Sequence, residues 1–403
     1  MIVVTLLIGA AALALLLPAF SDVISLGWIA WQGRGRSRPC LPLGEDPRFL
    51  FLVPAYNEEL LIGECVRSLR AQRYPRNAFE VLVVADNCTD RTAALSREAG
   101  ARCLERDQPA LAGKPRAIAW ALDQIELGQY DAVAVVDADT VVDRGFAAAL
   151  ADAAPLRNKA VQGYNGVCNP DESPITRMAA VFADAKCNFA YRLKARAGLN
   201  LPIRLGGCIG TDVLMRHRWT AFSIGEDWEV YAQLTERGVP IVGAPAARVY
   251  AQEARTLRQS APQRRRWSGG KLTVLHLFWR PLLQSCHIGV RQKLDVIGEF
   301  LAPGPAVHLG VAGLLAVFVV ALRVPGATVL ETLLAIGVGR QAVYALAALV
   351  NRRDPFRAAA AFAFLPVYAI WRLGVELSAL QMVGAAPWIR TERHRHRQRH
   401  QGG

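Results

Sequence analysis

The amino-acid sequence predicts an α/β protein with a doubly wound, mostly parallel sheet and with helices apolar enough to enter a membrane. Short, uninterrupted apolar runs at 49–53, 80–85 and 131–136 are typical of parallel strands that are buried on both faces. Helical patterns separate these runs, and the alternation predicts a β-α-β-α-β unit. Longer apolar runs at 2–31 and 301–350 exceed the roughly 20 residues that cross a bilayer.

The first apolar run, residues 2–31, predicts a transmembrane helix that contains a single charged residue, Asp22. A cleaved signal peptide is the alternative interpretation. It is disfavoured because no basic segment precedes the run, whereas Arg34, Arg36 and Arg38 follow it. We therefore expect a membrane anchor whose carboxyl end faces the cytoplasm.

The carboxyl-terminal third predicts two spans within 301–350 and a further apolar run at 358–371. The 14 residues of that run favour an interfacial or re-entrant helix. Basic clusters at 351–357 and 390–400 indicate cytoplasmic segments, and hence a multi-pass protein of the inner (plasma) membrane. The predicted organisation is a transmembrane helix at 1–31, a cytoplasmic sheet domain at 40–255, interfacial helices at 256–300, two transmembrane helices at 301–350, and an interfacial or re-entrant helix with a basic cytoplasmic tail at 351–403.

The composition indicates an anionic partner and argues against a metal centre built from cysteine or histidine. The chain has 47 Lys and Arg against 34 Asp and Glu, a balance that suits a nucleic acid, a phosphate ligand or an acidic lipid. None of the eight cysteines forms a C-x-x-C pair, and the histidines show no metal-binding spacing. We interpret the cysteines as reduced thiols in a cytoplasmic domain.

Between the predicted strands lie helical patterns at 58–72, 89–99 and 114–126, and Asn57 is placed to cap the first of them. Ligands of doubly wound sheets bind beyond the carboxyl ends of the strands. No G-x-G-x-x-G or G-x-x-x-x-G-K-[ST] motif follows a strand, which excludes the usual dinucleotide and P-loop sites. The side chains at these strand ends are instead Pro54, Ala55, Tyr56 and Glu58 after the first strand, Asp86 after the second, and Asp137 and Asp139 after the third.

Asp137 and Asp139 stand one residue apart at the end of the third strand. Two such carboxylates can present oxygens to one hard cation, and Mg²⁺ or Mn²⁺ usually shares its oxygen ligands with substrate phosphates. The alternative is an ordinary acidic turn. The position at a strand end of this type of sheet favours the metal. A nucleic-acid partner fits the net charge but not these carboxylates.

Lys114, Glu226 and Asp227 each open a predicted helix and each have two interpretations. Lys114 is either an exposed lysine or a cation near bound phosphates. Glu226 and Asp227 can simply complement the dipole of their helix, because acidic residues in a first turn do so. In the functional interpretation Asp227 is a general base that takes a proton from an incoming hydroxyl.

Gln263, Arg266 and Trp267 share one face of a predicted helix through their three- and four-residue spacing. Gln263 could merely complete a capping box with Ser260, and the arginines could attract anionic lipid. A diphosphate leaving group explains more, because guanidinium groups stabilise charge that develops as a bond breaks. Trp267 offers a flat surface to a sugar ring, whereas Arg264 and Arg265 are expected to point elsewhere.

Together these motifs resemble the membrane-bound family 2 glycosyltransferases, which include cellulose, hyaluronan, chitin and poly-N-acetylglucosamine synthases and ceramide glucosyltransferases. The resemblance runs from about residue 48 to 270. Its motifs are "VPAYNEE" (53–59), "ADNCTD" (85–90), "GKPRA" (113–117), "DAD" (137–139), "GED" (225–227) and "QRRRW" (263–267), in the order of that family. A further echo of a W-x-x-T-x-R stretch falls at Trp388, Thr391 and Arg393.

The resemblance implies a GT-A-type nucleotide-sugar-binding domain and assigns roles by position. Asp139 would hold Mg²⁺ or Mn²⁺, and Asp227 would be the catalytic base of an inverting displacement of a nucleoside diphosphate. The chain departs from many polysaccharide synthases at Gly225, where those enzymes have threonine. The matched residues are Pro54, Ala55, Tyr56, Glu58, Asp86, Lys114, Asp137 and Asp139 for the nucleotide-sugar, and Glu226, Gln263, Arg266 and Trp267 for the diphosphate and the acceptor.

The leading prediction is therefore transfer of sugars from a UDP- or GDP-sugar to a growing cell-surface or exported glycan. Three or four spans are few for enclosing a channel that exports a polymer, so a second hypothesis stays open. In it, one sugar is transferred to a lipid acceptor, with a helix at 271–284 holding the site at lipid level. A scaffold that binds nucleotides without catalysis is the third hypothesis, which Asp139, Asp227 and Arg266 disfavour. Membrane lipid is an expected partner, and a homo-oligomer is possible.

Overall fold

The structure is a computed structural model that describes residues 2–32 and 46–384. Within these residues eight strands form one sheet. The strands are β1 (Phe49–Ala55), β2 (Phe79–Asp86), β3 (Arg102–Arg106), β4 (Ala132–Val135), β5 (Thr140–Val142), β6 (Ala160–Val167), β7 (Cys208–Gly210) and β8 (Ile241–Ala251).

The sheet is mostly parallel, as predicted. Its strand order is β3-β2-β1-β4-β7-β6-β8-β5, and the first four strands in that order all run in the same direction. Strand β7 is antiparallel to both β4 and β6, whereas β6 and β8 are parallel. The carboxyl ends of β1, β2 and β4 therefore meet at one edge of the sheet.

Helices cover both faces of the sheet and continue into a carboxyl-terminal helical region. A π-helical turn at Lys186–Ala190 joins α6 to α7, and a 3₁₀ turn joins α14 to α15. The helices are α1 (Ile2–Gln32), α2 (Ile62–Arg70), α3 (Thr92–Glu98), α4 (Lys114–Asp123), α5 (Phe146–Ala151), α6 (Pro174–Ala185), α7 (Tyr191–Arg196), α8 (Thr211–His217), α9 (Glu226–Glu236), α10 (Leu257–Gln284), α11 (Val290–Leu301), α12 (Pro305–Ala321), α13 (Ala327–Val350), α14 (Pro355–Ala360) and α15 (Leu365–Ala379).

Strand β1 shows why the predicted runs are apolar without interruption. Phe49 and Phe51 pack on one face of the sheet, among residues of α2 and α5. Leu50 and Leu52 point to the opposite face, among residues of α4 and α9. Since successive side chains of a strand alternate between faces, a strand with helices on both sides is buried throughout.

Strand β3 was not predicted, because its sequence RCLER has the polar character of an exposed segment. It lies at the edge of the sheet, where only one neighbour, β2, shields it. The predicted cap of α2 was also wrong. Asn57 lies outside that helix with φ of 52°, and its side chain accepts a hydrogen bond from the backbone N–H of Thr89 at 2.8 Å.

The interfacial position predicted for the helices at 256–300 stays a prediction, and the structure gives their bounds and packing. The segment 271–284 continues α10 without a break. Val274 and Leu282 of α10 and Val296 and Phe300 of α11 are at most 2% exposed and belong to the core under the sheet. Helices α10 and α11 therefore pack against the sheet and share its hydrophobic core.

In the part of the chain that the structure describes, three helical segments are long and apolar enough to cross a membrane: Val3–Gln32, Ala327–Val350 and Pro355–Met382. The last has 28 residues, twice as many as the apolar run at 358–371. The interfacial or re-entrant position of that run stays a prediction. Helix α12 has 17 residues and reaches a spanning length only together with α11, from which it bends by 78°. One of the two spans predicted within 301–350 is thus a single long helix, and the other belongs to a bent pair.

Candidate functional site

A cavity of about 1670 Å³ lies at the carboxyl ends of β1, β2 and β4 and extends towards the apolar helices. Every site residue predicted from the sequence lines this one cavity, although they come from distant parts of the chain. The residues are Pro54, Ala55, Tyr56, Glu58, Asp86, Lys114, Asp137, Asp139, Glu226, Asp227, Gln263, Arg266 and Trp267.

Two loops, after β1 and after β2, are tied together at the cavity wall. The backbone N–H of Glu58 donates to the hydroxyl of Thr92 at 2.8 Å, and Asn57 bridges to Thr89. Tyr56, 39% exposed, follows Pro54 and Ala55 at the end of the buried strand β1. The loop that carries these residues is therefore anchored at both sides, while the Tyr56 side chain stays accessible to a ligand.

Asp86 lies in the floor of the cavity and is held by an ion pair that the sequence did not predict. Its carboxylate lies 2.5 Å from the guanidinium of Arg106, and both side chains are at most 4% exposed. The other carboxylate oxygen accepts a hydrogen bond from the backbone N–H of Gly113 at 3.0 Å. Asp86 thus fastens the end of β2 to β3 and to the start of α4, and a contact to a nucleoside stays a prediction.

Lys114 bridges two elements that carry predicted site residues. Its ammonium nitrogen lies 2.8 Å from a carboxylate oxygen of Asp137 and 2.8 Å from one of Glu226. Burial alone would lower the pKa of Lys114, but the charges of Asp137, Glu226 and Asp227 raise it well above its usual value. Lys114 therefore stays charged and holds the end of β4 against the first turn of α9.

Asp227 occupies the first turn of α9, as predicted, and its surroundings suit a general base. Burial is the main reason that its pKa is raised, to about 7, and the negative charges of Glu226 and Asp137 add to this effect. The positive charge of Lys114 opposes the rise. A carboxylate with a pKa near neutral pH both accepts protons readily and remains partly ionised.

The first turn of α9 touches the backbone of α10 at a pair of glycines. A Cβ atom on Gly225 would lie 2.8 Å from the carbonyl carbon of Gly270, and one on Gly270 would lie 2.8 Å from the Cα of Gly225. Neither position has room for a side chain. This contact explains why the chain has glycine at position 225, where the synthases that it resembles have threonine.

Helix α10 carries the predicted Gln263, Arg266 and Trp267 face, but it begins earlier than predicted. Its N-cap is Thr256, whose hydroxyl accepts a hydrogen bond from the backbone N–H of Gln259 at 3.2 Å. The capping box between Ser260 and Gln263 was therefore wrong, because both residues lie inside the helix. Gln263 is 7% exposed and turns towards the cavity.

The prediction that Arg264 points elsewhere was wrong as well. Arg264 lines the cavity and forms an ion pair with Glu253. Its guanidinium lies 5.1 Å from the centre of the Trp267 ring, a distance typical of a cation–π contact. The Arg264 guanidinium therefore covers part of the Trp267 indole. Trp267 is still 38% exposed, so the rest of its ring is accessible.

Asp137 and Asp139, which follow β4 and line the cavity, are the candidate ligands of a divalent metal ion. No group of three or more His, Cys, Asp or Glu side chains within the described residues could hold a metal ion by itself. Asp137 and Asp139 nevertheless make this corner negative: after burial, their charges are the main reason that the pKa of the Cys65 thiol is raised. The donor set is oxygen and fits Mg²⁺ or Mn²⁺ if a ligand phosphate completes the shell.

The far half of the cavity is lined by cationic residues that the sequence did not single out: Lys186, Lys194, Arg204 and Lys271. They are separated by up to 85 positions and follow no local motif. Lys186 and Lys194 stand eight residues apart in one helical segment, and this was the one local signal that they could line the same space. The echo at Trp388, Thr391 and Arg393 lies outside the described residues.

The fold and the carboxylate-lined cavity are those of a GT-A-type domain. Residues 47–270 match the model of a family described as glycosyltransferase like family 2, and the chain belongs to this family. The match supports the family-level resemblance in the sequence. Membership of the Q-x-x-R-W polymer synthases stays a prediction.

Curated relatives match over the same region. A probable glycosyltransferase, YdaM, of Bacillus subtilis is 26% identical over 247 residues, covering 58% of this chain and 57% of that protein. A beta-monoglucosyldiacylglycerol synthase of Nostoc is 27% identical over 273 residues, covering 63% of this chain and 55% of that protein. The matches thus span little more than half the length of these relatives.

A solved structure shows the fold over nearly the whole chain. It is that of the mannosyltransferase PcManGT from Pyrobaculum calidifontis, in complex with GDP-Man and Mn²⁺. The TM-score is 0.58 at 20% identity, and the likeness covers 93% of this chain and 98% of that one. This confirms the predicted GT-A-type α/β fold.

Proposed function

We propose that this chain transfers a single sugar, with inversion, from a UDP- or GDP-sugar to a lipid acceptor at a membrane. The observation that carries the proposal is the continuity of the cavity. It runs from Asp139 and Asp227 to Leu17 and Ile24 of the apolar helix α1. A lipid whose chains stay against the apolar helices can therefore bring a headgroup hydroxyl to the candidate base.

In the proposed reaction Asp227 takes the proton of the acceptor hydroxyl. The hydroxyl oxygen forms a bond to C1 of the sugar, while the bond from C1 to the diphosphate oxygen breaks and its electron pair leaves with the nucleoside diphosphate. Arg266 stabilises the charge that develops on this leaving group. A bound Mg²⁺ or Mn²⁺ at Asp139 would supply further positive charge to the diphosphate.

Two of the comparisons support these choices. One relative is by name a synthase of a glycolipid. The similar solved structure was obtained with GDP-Man and Mn²⁺, which supports a nucleotide-sugar donor and a divalent metal. The helices that can cross a membrane support a multi-pass protein of the inner membrane with a cytoplasmic sheet domain.

Extension of a glycan, the leading prediction from the sequence, is the second candidate. Gln263, Arg266 and Trp267 line the cavity as the resemblance to polymer synthases implies. Purified protein with Mn²⁺ or Mg²⁺ and a panel of UDP- and GDP-sugars separates the two candidates. Release of nucleoside diphosphate and the mass of the product are measured with lipid acceptors and with oligosaccharide primers.

The variant Asp227→Asn tests the assignment of the base. We expect transfer to fall by about 10²–10⁴-fold, the usual contribution of a general base, while donor affinity is unchanged. The matched control is Asp152→Asn, at an exposed aspartate that follows α5 and does not line the cavity, which should transfer normally. Loss of donor binding in Asp227→Asn would mean that the residue is structural.

A further inference from the structure

The far half of the cavity has two walls of exposed apolar side chains, one on each of two helices. On α1 the wall consists of Leu17, Phe20 and Ile24, at helical spacing of three and four. On α11 Leu294 and Leu301 face the same space. Phe20 is 51% and Leu294 60% exposed, so these side chains border the opening of the cavity. An exposed apolar surface next to a membrane helix suits alkyl chains.

The inner end of this space is cationic. Lys194 lies 3.1 Å from Asp295 and 2.6 Å from Glu299, and Lys186 lies 3.3 Å from the same Glu299. Lys186 therefore shares Glu299 with Lys194, which lies closer to that carboxylate. Among the further cations that line the cavity, Arg204 and Lys271 have no carboxylate within salt-bridge distance among the residues that the structure describes.

Lys271 shows the consequence of this imbalance. Its ammonium nitrogen donates to the carbonyl of Ala302 at 2.6 Å and lies 4.8 Å from the centre of the Trp228 ring. Neither contact supplies a full negative charge. Burial accordingly lowers the pKa of Lys271 to about 8, and it also lowers the pKa of Lys186. An anion bound at this position would remove the electrostatic cost of keeping these groups charged.

Arg204 places the excess charge next to the candidate base. Its charge opposes the rise in the pKa of Asp227 that burial causes, and it also contributes to lowering the pKa of Lys186. Arg204 lines the same cavity as both groups. An anion held by Arg204 would lie in the cavity that Asp227 also lines.

We propose that this half of the cavity binds a lipid acceptor whose headgroup carries a phosphate, and that Arg204, Lys186 and Lys271 hold that phosphate. The apolar walls on α1 and α11 receive the acyl or isoprenoid chains. This inference rests on the proposed transfer to lipid, but it adds a requirement for negative charge that a diacylglycerol does not meet.

The test compares two lipids that differ only in the phosphate, dioleoyl phosphatidic acid and dioleoylglycerol. Binding of each to the full-length protein in neutral detergent is measured by native mass spectrometry, without any sugar donor. We expect the protein to bind the phosphatidic acid at least about tenfold more tightly, as one charge-assisted contact can supply. Equal affinity for the two lipids overturns the proposal.

The chain has an excess of basic residues, and any of them could attract the phosphate of the lipid. Substitutions in the cavity therefore test where that phosphate binds. Arg204→Gln and Lys271→Gln should each reduce the preference about tenfold, and Arg204→Lys should retain most of it. The matched control is Arg196→Gln, at an exposed arginine of α7 outside the cavity. A preference that survives both Arg204→Gln and Lys271→Gln overturns the proposal, because the phosphate then binds elsewhere.

The experiments distinguish a failure of the proposed transfer to lipid from a failure of the requirement for phosphate. If the donor and acceptor panel yields no glycolipid while an oligosaccharide primer is extended, transfer to lipid is wrong regardless of the binding preference. If a glycolipid forms from dioleoylglycerol, and the protein binds both lipids equally, transfer to lipid stands and only the requirement for phosphate is wrong.

Discussion

Asp227 and Lys114 show how single residues set the chemistry of the site. A carboxylate in the first turn of α9 would by itself favour its charged form, because the helix N-terminus is positive. Burial outweighs this and raises the pKa of Asp227 to about 7. Lys114, charged and 2.8 Å from Glu226, restrains the rise. The protonation state of the base therefore depends on a lysine that belongs to another helix.

The pH dependence of activity tests this account. Only ionised Asp227 can accept a proton, so kcat/KM should rise with pH by roughly tenfold per unit below neutral pH and level off above its pKa of about 7. Lys114→Gln removes a positive charge that favours the ionised form of Asp227. It should therefore move the rising part of the pH profile of kcat/KM to higher pH. The control Arg91→Gln, whose side chain is 70% exposed, should not move it. A rising part that stays in place in Lys114→Gln contradicts the electrostatic coupling.

The contact between α9 and α10 shows how two helices position the candidate base and the candidate arginine together. Gly225 begins α9 two residues before Asp227, and Gly270 lies one helical turn after Arg266. Their backbones meet where a side chain would not fit. The glycine pair therefore fixes the distance between the general base and the group that receives the leaving diphosphate.

Gly270→Ala should separate these two helices. Its Cβ would lie 2.8 Å from the Cα of Gly225, and overpacking of this kind typically costs about 1–3 kcal/mol. We expect a lower melting temperature and a fall in kcat of at least about tenfold, because a small displacement of reacting groups is costly.

The matched control is Gly374→Ala, inside helix α15, where an added Cβ meets no atom within 4 Å. Alanine should stabilise that helix slightly, by up to about 1 kcal/mol. Unchanged activity in Gly270→Ala, with unfolding like that of Gly374→Ala, would show that the glycine contact has no positioning role.

The elements differ in how well they could be predicted from sequence. Strands β1 and β2 were predictable because both of their faces are buried. Their pattern is therefore apolar apart from Glu80 and Asp86 near the two ends of β2. Strand β3 was not, because an edge strand can carry the polar sequence RCLER. The start of α10 was misplaced because two capping candidates, Thr256 and Ser260, stand four residues apart and only tertiary packing selects between them.

The candidate site was predictable where its residues follow strand ends and unpredictable where distant helices meet. Asp137, Asp139 and Asp227 stand in motifs that can be recognised locally. Arg106 and Arg204 acquire their positions only when the chain folds, since each meets its partners from other elements. A single sequence does not specify such long-range contacts.

At the scale of the whole molecule, the only charged residue of α1 ties this helix to the carboxyl-terminal helices. Asp22 accepts a hydrogen bond from Arg340 at 2.6 Å and one from the hydroxyl of Tyr344 at 2.8 Å, both on α13. The side chains of Asp22 and Arg340 are 12% and 15% exposed. An ion pair in an apolar setting is costly to break because the remaining charge is left without a partner.

Asp22→Leu should therefore destabilise the protein by about 3–5 kcal/mol, whereas the double variant Asp22→Leu with Arg340→Leu should recover much of that loss. Thermal unfolding in detergent, followed by a fluorescence assay, measures both. If the double variant is as unstable as the sum of the two single variants, the pair does not act as a unit.

The 78° bend between α11 and α12 has a consequence for how an acceptor arrives. If α12 stands upright in the bilayer, α11 lies almost flat along its surface, as a bar about 18 Å long for its 12 residues. The opening beside it then forms a horizontal slot at one depth. A lipid would slide in sideways and its glycosylated form would slide out the same way, so neither would have to leave its own leaflet.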